Sequence, residues 1–322
     1  MEDNSLGANM EKTIALSGFI ADIHSPSTWL QIVLDGKDLS WTTYKKLGED
    51  LEKLLAEIDK KYSARSPTKG RSISLNSASH NLEFSPFPSK FSNTLSNARS
   101  FVYKFLMNDY CVLLEEIGRR NVYLLPKGVA PMFLEEVEKI NKETIAPLRE
   151  EMTKFVSSDD FSQIEKLISS AGIDPRGLST ALTHTIKGIN NFSADIVPVS
   201  FDWKAVGTFT SVENIEGLKL LMAQLERKEH EYRANVVTDI LRKFNRLIEQ
   251  PVIGPRLAPQ VDRLEKMCDS LGLTNITEKV LKPLHEVVMA KPSLRAGLCE
   301  KYFGNMDLKK GAAATLKASF GG

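Results

Sequence analysis

The residues able to carry covalent or acid–base chemistry are few and scattered. Histidines stand at His24, His80, His184, His230 and His285, and cysteines at Cys111, Cys268 and Cys299. A metal site needs such ligands clustered, as in CxxC or HExxH, and neither spacing occurs. Cys111 lies in the apolar run Tyr110-Cys111-Val112-Leu113-Leu114, which predicts a buried, inert thiol. His230, between Glu229 and Glu231, belongs to a charged helix face where solvation outweighs a general-base role. The adjacent carboxylates Glu115/Glu116, Glu135/Glu136 and Asp159/Asp160 project about 100° apart on a helix and cannot share one site. There is no GxxxxGK[ST], no GxGxxG and no GxSxG; Lys69-Gly70-Arg71-Ser72 is a basic turn. These residues predict no catalytic group, cofactor or metal, and therefore a non-enzymatic protein.

The balance of 42 Lys+Arg against 41 Asp+Glu argues against a polyelectrolyte sleeve for nucleic acid. A hydrophobic share of 42% excludes global disorder. No apolar run approaches the ~18 residues a membrane helix needs, the first residues are acidic and polar, and three scattered cysteines fit a reducing compartment. The expected location is the cytoplasm.

Residues 13–35 place two β-branched segments around Ser25-Pro26-Ser27, the pattern of a hairpin or a strand-loop-strand. From Trp41 to Lys60, apolar residues recur at three- and four-residue steps, predicting an amphipathic helix, and residues 1–62 form the first region. Residues 63–100 are rich in serine and carry Pro67, Pro86, Pro88 and a basic cluster, predicting a linker or arm. Its phenylalanines Phe84, Phe87 and Phe91 tack the loop to the body or, in the competing reading, stack on nucleic acid bound by Arg65, Lys69 and Arg71. Residues 101–200 are expected as a helical domain. It opens with an apolar helix from Phe101 to Ile117 stopped by Gly118 and includes a stripe from Phe133 to Phe155 kinked at Pro147. Asp159/Asp160 cap a following helix, and Pro198 confines any strand in 192–210 to an edge or a start.

Residues 201–300 hold the longest periodic run, 212–249. At 1.5 Å per residue it spans roughly 55 Å, more than a compact domain, so part of it must project or pair. Leu218, Leu225, Tyr232 and Val236 mark the face expected to meet a protein partner. Residues 301–322 read as a loosely held tail.

Three stretches carry a family resemblance. Ser89 to Ser100 precedes an apolar helix ending Ile117-Gly118-Arg119 and then Tyr123-Leu124-Leu125-Pro126-Lys127-Gly128-Val129. Ser200-Phe201-Asp202-Trp203 follows an extended segment, and Arg256 to Leu273 runs on to Val287-Val288-Met289-Ala290-Lys291-Pro292. In this order the chain resembles a bacterial and phage family often encoded beside MoxR-type AAA+ ATPases and proteins with a von Willebrand A-like domain. The family has no assigned activity or catalytic residues. The resemblance implies a cytoplasmic helical protein acting with an ATPase partner or in a phage programme.

The expected fold is mainly α: an elongated helical bundle with coiled-coil-like hairpins and a small N-terminal β element. The expected function is that of an interaction protein, an adaptor or assembly subunit binding a protein such as an AAA+ ATPase or its own copies. The alternatives are a nucleic-acid-binding accessory factor and a virion scaffold component.

Overall fold

The computed structural model describes residues 16–26, 32–35, 38–62, 73–76, 81–117, 120–200, 215–250 and 252–320. It is mainly helical, with two small sheets. The chain divides into two compact units. The first comprises Met1–Asp22, Phe105–Glu135 and Ala194–Gly322; the second comprises Ile23–Lys104 and Glu136–Ser193. The expected cuts, at the serine-rich segment and near residue 200, assumed contiguous domains, whereas each unit gathers separate stretches of chain.

The second unit is built on aromatic packing. Helix α1, Trp41–Tyr62, starts where the Ser40 hydroxyl accepts the Thr43 N–H at 3.2 Å, and it buries Tyr44, Leu47, Leu51, Leu55 and Ile58 along one face. Strands Ile32–Asp35 and Ser74–Asn76 flank Asn81–Phe84, both antiparallel. Helix α2, Ser89–Phe101, follows directly; its first N–H donates to the buried carboxylate of Asp59 at 2.8 Å, satisfying a donor the helix leaves open. The described part of the expected 63–100 linker is therefore strand and helix. Its phenylalanines Phe84, Phe87 and Phe91 are each 1% exposed. Phe155 lies within 6.2 Å, centroid to centroid, of Tyr62, Phe87, Phe91 and Phe161. Rings buried this way cannot stack on bases, so the phenylalanines hold the segment to the body.

The expected N-terminal hairpin does not form. Its halves, Ser17–His24 and Ile32–Asp35, join different sheets, because each finds an antiparallel partner far along the chain. Ser17–His24 pairs with Arg120–Pro126, and Gly18 permits the close approach: a Cβ there would stand 2.5 Å from the Leu125 carbonyl oxygen.

The expected helix 101–117 is also corrected. Helix continues from α2 through a π turn, Val102–Leu106, to Met107–Tyr110, and stops at extended Cys111. Val112–Ile117 is a strand, paired antiparallel with Arg120–Pro126, which leaves two residues between them. The order of this first-unit sheet is Val112–Ile117, Arg120–Pro126, Ser17–His24, Ser193–Ser200. Pro198 thus falls on an edge strand, where proline is tolerated.

The kink at Pro147 takes a definite form. Ala130–Ile140 widens into a π turn, Asn141–Ile145, before Ala146–Val156, and the Ala146 N–H reaches back to the Asn141 carbonyl. Thr277–Leu281 does the same ahead of Pro283, with Lys282 N–H bonded to Thr277. A wider turn relieves the clash between a proline ring and the carbonyl four residues back. The helix Asp159–Ser170 is capped by Ser158, whose hydroxyl accepts the Phe161 N–H, while Asp159 and Asp160 occupy its first turn. The tail expected to be loose is instead the helix Leu308–Phe320. It buries Leu308, Ala312 and Leu316 at four-residue steps, an apolar stripe too narrow to stand out in the sequence.

A cationic pocket and its supporting helices

The longest helix of the first unit, Ile215–Ile248, presents two different surfaces along its length. The side chain of Leu218 lies outside the described residues, as do Arg65, Lys69 and Arg71. Leu225 and Tyr232 are half-buried. Val236 is fully buried in the unit's own core, so it offers no surface to a partner.

Tyr232 belongs to a polar clasp on the first-unit sheet. The register with Arg120–Pro126 slips between Leu113 and Glu115, making Leu114 the extra residue of a bulge. The Leu114 carbonyl accepts from Asn235 Nδ2 at 2.7 Å. Glu115, next along the strand, receives Lys228 Nζ at 2.6 Å and the Tyr232 hydroxyl at 2.9 Å. These donors hold the Glu115 carboxyl below its ordinary range, Lys228 first and Tyr232 second. The Lys228 ammonium is raised in turn, chiefly by its bond to Glu115.

Toward the end of the same helix the face changes. Asp239, 3% exposed, receives Arg242 and, at 2.7 Å, Lys243 Nζ. Burial pulls Lys243 below the ordinary lysine range despite Asp239. It pushes the Cys111 thiol up to about 12, with Lys243 opposing. Cys268 and Cys299 are shifted the same way by burial, so none of the three is a ready nucleophile.

Lys243, Arg246, Leu247 and Gln250 then recur at three- and four-residue steps, as do Gln260, Arg263, Leu264 and Met267 on the helix Ala258–Ser270. The two faces line one cavity of 310 Å³, completed by Phe105 and Asp109, which are four residues apart. Arg263 is held on two sides: its guanidinium carbon lies 4.2 Å from the Tyr110 ring centre, and one terminal nitrogen is 2.8 Å from Asp109. Its Nε–H is buried with no acceptor. Phe105 is 59% exposed. No family model, curated protein or solved structure matches the chain.

Each half of this lining is an i, i+3, i+4, i+7 set that mixes cations and glutamines with apolar residues, and only the tertiary fold brings the two faces together. His184 and His230 are both exposed, on different helices. Among the described residues no group of three or more His, Cys, Asp or Glu is placed to hold a metal ion, and no helix is long and apolar enough to cross a membrane.

A third surface lies around Arg295. Its guanidinium donates to the Ala290 carbonyl at 3.1 Å and to the Ile253 carbonyl, tying two chain segments together. Val252, Met289 and Leu294, each a sequence neighbour of a residue in that link, are more than half exposed.

Proposed function

We propose that this chain is a non-enzymatic interaction protein, an adaptor or assembly subunit, whose partner is a protein. The observation carrying this reading is the exposed apolar trio Val252, Met289 and Leu294 around Arg295. Exposed apolar side chains flanking the link that Arg295 makes between two chain segments favour protein contact. The half-buried Leu225 and Tyr232 extend the proposal to the long helix, whose earlier turns would pair with a partner helix in a coiled-coil-like hairpin. The resembling family suggests an AAA+ ATPase as the partner class and the cytoplasm as the place of action.

The test is light-scattering chromatography of the purified chain, with affinity capture from its native host in the presence and absence of ATP. The expected result is a stable oligomer, or enrichment of one ATPase, abolished by Leu294→Asp with Met289→Asp. A strict monomer that captures the same proteins in both forms overturns the proposal.

A further inference from the structure

The geometry points to the surface around Arg295 as the docking site of an acidic, amphipathic segment of a partner protein. This inference rests on the interaction role and names the chemistry of its partner. The first support is charge. The Arg295 guanidinium joins the segments 250–256 and 289–298 by donating to the Ile253 and Ala290 carbonyls. Those segments hold Arg256, Lys291 and Arg295 and no Asp or Glu, three positive charges in a chain whose net charge is +1. Backbone carbonyls are neutral acceptors, so they satisfy donors of Arg295 and leave its charge uncompensated. Arg256 and Lys291 are exposed, and neither is paired with a carboxylate among the described residues. Widening the second segment to Lys301 adds Glu300 and Lys301 together, and widening the first to Glu249 adds an acid already bound to Lys309 at 3.3 Å, so the excess holds.

The second support is the apolar surface on the same segments. Val252 is 77% exposed, Leu294 58% and Met289 56%. The helix Pro292–Phe303 buries Cys299 and Phe303, while Pro292, Ser293, Ala296 and Gly297 are exposed on it beside Leu294. The helix opens on Lys291 with no side-chain cap and no acid in its first turn, so the partial positive charge of its N–H end adds to that of the three cations.

Charge complementarity selects the occupant. A second copy meeting this surface about a two-fold axis would set the three cations against the same three, which repel. An anionic bilayer favours larger basic clusters, of about four to eight Lys and Arg, and a helix whose apolar residues share one face. Here the cations are Arg256, Lys291 and Arg295, and the apolar residues of Pro292–Phe303 are spread around its axis. A protein segment with carboxylates flanking aliphatic side chains answers both features together. Its aliphatic residues cover Val252, Met289 and Leu294, and its carboxylates meet Arg256, Lys291 and the helix end.

The experiment is fluorescence anisotropy of the intact chain with labelled peptides of about 18 residues, or five helical turns, carrying leucine at each third or fourth position and glutamate elsewhere. Counterpart peptides replace glutamate by glutamine or by lysine. Saturable binding of the glutamate peptide is expected, at least tenfold tighter than the glutamine peptide, with none of the lysine peptide. Raising salt from ~50 to ~500 mM should weaken it about tenfold. Arg256→Glu with Lys291→Glu changes exposed side chains and should leave the melting temperature unchanged while weakening the glutamate peptide at least tenfold; Leu294→Asp should weaken it as well. The proposal is overturned if no peptide binds at millimolar concentration, if Arg256→Glu with Lys291→Glu leaves the affinity unchanged, or if phosphatidylserine vesicles take up the chain in preference to the peptide. It is overturned too if the glutamine peptide binds as tightly as the glutamate one, and loss of that binding in Leu294→Asp would then leave the interaction role standing on apolar contact alone.

Discussion

The core of the second unit and the long-helix end of the first unit bury side chains of opposite character. In one, Tyr62, Phe87, Phe91, Phe155 and Phe161 meet at tilted and edge-to-face angles, and the deeply buried carboxylate of Asp59 is occupied by a helix N–H. In the other, Asp239 and Lys243 are buried as ions, Arg263 keeps an unanswered donor, and a cavity remains between two helices. Rings need only shape to be satisfied, whereas buried charges need partners with geometry. The aromatic region is thus satisfied by packing alone, and the charged one depends on the geometry of its ion pairs.

The contrast predicts a ranked set of losses. Phe91→Ala removes a ring packed against three others and should cost about 3–5 kcal/mol in urea unfolding. A loss near 1 kcal/mol would show that the cluster collapses around the cavity and contributes less than its geometry suggests. Asp239→Ala strands Lys243 without its partner and should cost about 3 kcal/mol; the double change Asp239→Leu with Lys243→Met should recover most of that. If the double change is as damaging as the single one, the pair stabilises the fold through more than mutual neutralisation.

Asp59→Ala is a smaller test on the aromatic side. It deletes the acceptor at the start of helix Ser89–Phe101 and should cost about 1 kcal/mol, with Asp59→Asn between the two. Should Asp59→Ala prove as costly as Phe91→Ala, the aromatic region would depend on polar satisfaction as much as the charged one does.

Legibility followed the range of the interactions. The stripe Leu47, Leu51, Leu55, Ile58 is readable because a helix makes its own hydrogen bonds and shows only its period. The strand Val112–Ile117 reads as helix because its apolar residues continue those of the preceding helix without a break, while the bonds that decide it come from another strand, Arg120–Pro126. The separated strands at 17–24 and 32–35 failed for the same reason, each pairing with residues tens of positions away. The cationic pocket was visible only in halves. Lys243, Arg246 and Gln250 share a face by spacing, as do Gln260 and Arg263, yet nothing local makes those two faces meet.

The clasp at Glu115 gives the smallest and most specific separation between the regions. Its folded-state pKa is depressed by Lys228 and Tyr232, so its contribution to stability is present above the ordinary carboxylate range. That contribution is lost as pH falls through the depressed value. Glu115→Gln removes the charge and keeps the shape. Wild type should therefore melt higher than Glu115→Gln at pH 7, and the two curves should converge as the buffer is taken toward pH 3. The Phe91→Ala offset, which involves no titrating group, should stay nearly constant across the same series. A Glu115→Gln offset equally flat with pH would place the helix anchor in the bulge carbonyl of Leu114 and Asn235, with the carboxylate only adding to it.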